Sequence, residues 1–100
     1  MSRIVDLHEE AVEEARAARE WYEERSSSVA VAFMAELDAA VASIAGAPQR
    51  WPIYLHGTRR CPFRRFPYFL VYRDDGGILL VVAVVHARRR PGYWKSRQPE

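Results

Sequence analysis

Cysteine is nearly absent from this chain, with Cys61 alone among 100 residues. A single thiol excludes a disulfide framework within the chain and makes a reducing cytoplasm the expected compartment. Glycine and proline are sparse, at five and six residues, and no internal repeat, linker or low-complexity tract stands out. The longest unbroken apolar run, Ile78 to Val85, is far too short to span a bilayer. The first residues carry acids in place of an apolar stretch, so neither a signal peptide nor a membrane partner is expected. His8, His56 and His86 are scattered and give no metal-ligand spacing with the lone cysteine, so no metal and no other cofactor is expected.

What the chain does have is charge, unevenly spread. Residues 1–50 carry 5 basic and 10 acidic groups, a net of −5, and residues 51–100 carry 10 and 3, a net of +7. Such a division points to an anionic partner met by the second half. Fourteen of the fifteen cations are arginine, whose planar guanidinium suits bidentate contacts to phosphate or carboxylate. The length fits one domain over residues 1–100. Surface scaling leaves roughly 65% of the unfolded chain's surface buried, enough for a core without disulfides or metals.

The pattern of residues predicts an order of elements. Ser2 to Asp6 is a weak strand. Asp6 with Glu9 reads as a capping box that opens a helix at Leu7. Along it Leu7, Ala11, Ala15, Ala18 and Tyr22 recur at spacings of four and three, with Trp21 widening the apolar face. Glu10, Glu13, Glu14, Glu20, Glu23 and Glu24 cover the solvated side, interspersed with Arg16, Arg19 and Arg25. Ser26 to Ser28 break this helix and cap a second, in which Val29, Phe33, Leu37, Val41 and Ile44 repeat until Gly46 and Pro48 stop it. Two amphipathic helices so closely joined form an antiparallel hairpin.

The second half changes period. Trp51 to Gly57 reads as loop or irregular strand, Arg60 to Phe66 as a strand, and Tyr68 to Arg73 as a stronger one. Asp74 to Gly77 supplies a tight hairpin turn. Ile78 to Val85 follows as a central strand covered on both faces. Past Pro91 and Gly92 remains a basic, aromatic tail. The order β-α-α-β-β-β predicts an α+β fold, a helical hairpin packed on a small, mainly antiparallel sheet.

Three arginine clusters hold most of the positive charge: Arg59 and Arg60; Arg64 and Arg65; and Arg88, Arg89 and Arg90, with Lys95 and Arg97 beyond. Neighbouring strands can bring them to one end or edge of the sheet. Solubilising charge is the plain explanation. Interleaved Tyr68, Tyr93 and Trp94 favour binding, because aromatics among arginines stack on bases or anchor a protein interface. His86, on the face of Ile78, Leu80, Val82 and Val84, reads as a structural histidine, with general acid–base work as the alternative. Cys61 beside Arg59 and Arg60 has no paired base and reads as passive. Trp21, Trp51 and Phe33 read as core.

Two strings carry a resemblance. Arg64-Arg65-Phe66-Pro67-Tyr68-Phe69-Leu70-Val71-Tyr72-Arg73 is followed, after a glycine turn, by Val82-Ala83-Val84-Val85-His86-Ala87-Arg88-Arg89-Arg90-Pro91-Gly92-Tyr93-Trp94. With the order of elements and the acidic helical hairpin, they make nearly the whole chain resemble the RelE/ParE superfamily of type II toxin–antitoxin toxins. The resemblance implies a cytoplasmic bacterial toxin held inactive by a cognate antitoxin whose extended and helical segment wraps the sheet and helices. RelE-like members cut mRNA in the ribosomal A site with basic residues on the sheet and a tyrosine near the C-terminus. ParE-like members inhibit DNA gyrase and lack that set.

Compared residue by residue, Arg88 matches the nucleases' basic position after the last strand, and Tyr93 lies near their tyrosine at a slightly shorter spacing. Phe69 stands where they carry an arginine and Pro62 where they carry a lysine, although Arg60 and Arg64 are close by. A missing cation removes a stabiliser of transition-state charge, which favours the ParE-like reading: growth inhibition through DNA gyrase, in a plasmid-stabilisation setting. The target-binding surface is then Arg88, Arg89, Arg90, Tyr93, Trp94, Lys95 and Arg97, with Arg59, Arg60, Arg64 and Arg65 meeting an acidic antitoxin segment. Direct DNA binding is not expected without the antitoxin. The alternative is a ribosome-dependent endoribonuclease. In it Arg64, Arg65 and Arg88 hold phosphate and His86 or Tyr93 moves protons without a metal, leaving a cyclic phosphate after 2′-hydroxyl attack. A third reading keeps the fold as an antitoxin partner with toxicity lost.

Overall fold

The computed structural model describes residues 2–98; Met1, Pro99 and Glu100, at the ends of the expected 1–100 domain, lie outside them. The elements follow the order β1 (Val5–Leu7), α1 (Glu9–Glu23), α2 (Ser27–Gly46), β2 (Arg59–Pro62), β3 (Tyr68–Asp75) and β4 (Ile78–His86). The sheet order is β1-β4-β3-β2. β1 runs parallel to β4, and the other two pairings are antiparallel. The fold is the expected α+β arrangement, a helical hairpin on a small mixed sheet.

The entry to α1 differs from the sequence expectation. β4 offers Leu79 to Val81 as partners, so the first strand continues to Leu7, and the His8 N–H still donates to the Val81 carbonyl at 2.9 Å. His8, not Asp6, then caps the helix, its Nδ1 accepting from the Glu10 N–H at 3.1 Å. Ala11, Ala15 and Ala18 form the buried face, and their small size lets the helix lie close to β4. Trp21 does not widen that face: it is 51% exposed, with the Arg25 guanidinium 3.5 Å above its ring.

Ser26 caps α2 as expected, its hydroxyl accepting from the Val29 N–H. The buried stripe of α2 is Ala30, Phe33, Leu37, Ala40 and Ile44. Its edge is turned by one position, because Val29 faces solvent and Val41 is only half-buried. Gly46 is the last helical residue and Ala47 the cap. By length and composition α2 is long and apolar enough to cross a membrane, yet here Phe33, Leu37 and Ile44 pack into the core with Phe63, Leu70 and Val81.

β2 is shorter than expected and excludes Arg64 and Arg65. The last bond of the β2–β3 ladder runs from the Phe63 N–H to the Tyr68 carbonyl at 2.9 Å, and beyond it the chain bends at residues 64–67, leaving Arg64 and Arg65 exposed. β3 instead runs two residues further, to Asp75. Gly76 and Gly77, at φ 65° and 93°, close the two-residue loop that the right-handed twist of the strands favours.

β4 holds an unexpected irregularity. Tyr72 pairs with Val81 and Val71 with Ala83, so Val82 is an extra, bulged residue. The bulge resets the alternation. Leu79, Val81 and Val84 face the helices, whereas Leu80, Val82, Ala83 and Val85 face the other side. His86 therefore lies on the helix side with Leu79, Val81 and Val84, and not with Leu80 and Val82. The second face is covered by the chain after β4, whose Trp94 is 0% exposed and packs with Val71, Val82, Ala83 and Val85.

Candidate functional site

Two of the three arginine clusters meet at one end of the sheet. Tyr68 opens β3 directly opposite His86, which closes β4. The Ala87 N–H donates to the Pro67 carbonyl at 2.8 Å. The bend holding Arg64 and Arg65 thus lies beside the turn holding Arg88, Arg89 and Arg90, all five exposed. Arg65 is partly engaged, since Glu36 of α2 accepts from its backbone N–H and faces its Nε at 3.4 Å. The first cluster lies elsewhere. The Arg59 guanidinium donates to the Trp51 carbonyl at 2.6 Å and braces the 49–51 loop. Arg60 lies over the rings of Tyr54 and Phe69 on the second face.

The tail divides into an outward and an inward set. Arg88, Arg89, Arg90 and Lys95 are exposed, with the Arg89 guanidinium 3.8 Å above the Tyr93 ring. Trp94, expected as a surface anchor, is instead core, its ring 6.1 Å from Tyr54 and 5.7 Å from His56. Arg97, also expected at the surface, has a side chain only 9% exposed. It donates to both carboxylate oxygens of Glu14, at 2.8 and 3.0 Å. The Tyr93 hydroxyl donates to the same carboxylate. Burial, then the Glu14 bond, pushes this phenol well above the ordinary tyrosine value. Burial works against the Arg97 charge, and Glu14 more than offsets it. Glu14 itself was expected on the solvated face. Its spacing, three residues after Ala11 and four before Ala18, was the available signal that it lies at the edge of the apolar stripe.

A cavity of about 580 Å³ opens between α1 and the end of β4, lined among others by Trp21, Tyr22, Tyr68, His86, Arg89 and Tyr93. It gathers His86 and Tyr93, the two residues expected to move protons in a nuclease. The His86 Nδ1 accepts from the Arg88 N–H at 3.1 Å, and its ring stands edge-on to Tyr68 at 5.0 Å. The apolar and aromatic walls did not announce themselves in the sequence, where Trp21 and Tyr22 read only as helix packing. Cys61 is buried on the helix side of β2. Burial pushes its thiol up to about 11 despite Arg50, the reverse of an activated nucleophile. Among the described residues no three His, Cys, Asp or Glu side chains gather as a metal site requires.

This fold, a helical hairpin on one face of a small mixed sheet, is similar to that of a solved structure described as the chromosomal ParDE TA system from P. aeruginosa. The match has a TM-score of 0.75 at 13% sequence identity and covers 85% of this chain and 96% of that one. The family model of the ParE toxin of type II toxin–antitoxin system, parDE, matches residues 5–91, and the chain belongs to that family. No curated protein matches it.

Proposed function

We propose that this ParE-family toxin arrests growth by binding a cellular target, DNA gyrase, and that a cognate antitoxin neutralises it in the bacterial cytoplasm. The observation that carries this reading is the outward basic turn: Arg88, Arg89, Arg90 and Lys95 project from a segment whose Tyr93, Trp94 and Arg97 are turned inward. A cationic, solvent-exposed turn suits recognition of an acidic or phosphate-bearing surface. Arg60, Arg64 and Arg65 are the outward cations of the other clusters and suit an acidic antitoxin segment, the Arg65 side chain staying 77% exposed beside Glu36, whereas Arg59 already serves Trp51.

Purified protein is expected to abolish supercoiling by gyrase in vitro and to leave translated mRNA intact. Undiminished supercoiling at saturating protein would remove gyrase as the target. The nuclease reading is favoured by one observation, the convergence of His86, Arg89 and Tyr93 on a single cavity. Against it stands the Tyr93 hydroxyl, whose proton is committed to Glu14 and whose pKa is raised. Codon-phased cuts in the mRNA of expressing cells would reverse the order of these two readings. Normal growth under strong expression without an antitoxin would sink both.

A further inference from the structure

The carboxylate of Glu14 collects four hydrogen bonds from parts of the chain remote in sequence. Oε1 accepts from the Val84 N–H at 3.0 Å and from Arg97 Nη1 at 2.8 Å. Oε2 accepts from Arg97 Nη2 at 3.0 Å and from the Tyr93 hydroxyl. The reason lies in the sheet. β1 ends opposite Val81, so the outer edge of β4 beyond it has no strand neighbour, and unpaired backbone groups there need other partners. Glu14 satisfies the Val84 N–H, and Arg97 Nη1 reaches the carbonyl of the bulged Val82 at 3.2 Å. A carboxylate and a guanidinium thus complete the strand edge that β1 leaves open.

The same contacts close a loop. The chain leaves β4 at His86, passes through Arg88, Arg89 and Arg90, buries Trp94 under the second face, and returns to the edge of β4 at Arg97. Within this loop the exposed cations have no acidic partner among the described residues. Arg97, the one paired cation, is held by Glu14, with Glu10 at 3.6 Å.

We infer that Glu14 is the positioning residue of the basic surface: through Tyr93 and Arg97 it holds the segment after β4 in the arrangement that presents Arg88, Arg89, Arg90 and Lys95 together. This rests on the reading of that surface as the target-binding face. Glu14 touches no target itself. It acts by keeping the loop closed, so that binding does not first have to order it.

The test uses the full chain with Glu14→Ala, Glu14→Gln and Tyr93→Phe, read by segment-resolved amide exchange and by affinity for gyrase. Glu14→Ala is expected to speed exchange across residues 91–98 by about tenfold or more, the scale of lost charge-assisted hydrogen bonds. Amides of α2 and β3 should keep their protection, and target affinity should fall by a similar factor. Glu14→Gln should fall between, since its amide oxygen still accepts from Val84, and Tyr93→Phe should add little on top of Glu14→Ala. Unchanged exchange in residues 91–98 overturns the inference. So does an equal loss of protection throughout the chain, or faster exchange with undiminished binding. Should Glu14→Ala fail to fold, Glu14→Gln and Tyr93→Phe carry the same test. If the unaltered protein does not bind gyrase, the proposed target falls while the exchange result still decides the role of Glu14.

Discussion

Tyr68 and His86 face one another across β3 and β4 as a directly opposed pair, their rings 5.0 Å apart and nearly perpendicular. Aromatic pairs in this edge-to-face geometry add stability beyond their buried area. Here the pair also fixes which end of the sheet carries both arginine turns, because each residue borders one of them. Basic character and a cross-strand ring pair therefore coincide at one place.

Trp94→Ala is expected to cost about 3–5 kcal/mol of stability, the range for emptying a fully buried aromatic site. Urea unfolding followed by circular dichroism measures this as a lower midpoint. A change below about 0.5 kcal/mol, the ordinary scale of surface substitutions, would return Trp94 to the exposed anchor role read from the sequence.

Replacing Arg88, Arg89 and Arg90 together by Ala should weaken target binding and leave the fold intact. The loss of the Arg89 contact over the Tyr93 ring is worth about 0.5–1 kcal/mol at an exposed site, too little to unfold the chain. Affinity and thermal unfolding on the same preparation separate the two effects. Unfolding of the triple variant would make the arginines structural.

Stability should fall between pH 9 and 12. Burial raises the Cys61 thiol from 9.0 to about 11 and the Tyr72 phenol from 10.0 to about 12. In both, the folded state holds its proton to higher pH than the unfolded state, so the stabilisation is complete below the unfolded pKa and disappears as pH rises through the folded one. Cys61→Ala should flatten the part of the decline between pH 9 and 11. A denaturation midpoint independent of pH over this range would refute the assignment. At pH 7.5 the thiol should react with Ellman's reagent only upon unfolding.

Gly92→Ala should destabilise the tail by about 1–2 kcal/mol, the cost of a left-handed conformation for a residue with a Cβ. Gly92 has φ 79°, and a Cβ there would meet the His56 Nε2 at 3.3 Å. Chemical denaturation and amide exchange of residues 91–98 would register the change. An unaltered exchange pattern would show that the segment tolerates the strain.

Much of this fold is legible in the sequence. The alanine stripe of α1, the serine cap of α2 and the Gly76–Gly77 turn each signal one conformation through local chemistry. The strand run from Ile78 to Val85 is a different case. Eight aliphatic residues carry no alternation, so nothing in them marks Val82 as bulged, and the face of His86 followed from a period that the bulge resets. Likewise the spacing of Glu14 from Ala11 and Ala18 marks only the edge of the stripe, and its bonds to Arg97 and Tyr93, remote partners, are revealed by no local pattern. The basic turn was legible because arginines cluster in sequence. Its separation into outward cations and an inward Tyr93, Trp94 and Arg97 was not, because one buried tryptophan looks the same as an exposed one until the second face of the sheet is known.

The parallel pairing of Val5 with Leu79 ties the start of the described chain to its last strand, and contacts of such long sequence separation form late and slowly. During synthesis the helical hairpin of α1 and α2 can assemble early. β1 has no partner until β4 has left the ribosome, and Glu14, which meets Val84 of β4, gains Tyr93 and Arg97 only when those residues follow. A nascent chain therefore displays its acidic helices well before it displays an ordered basic surface. The cell that makes this protein has the interval of that last segment's emergence in which the polypeptide is present but not yet shaped to act.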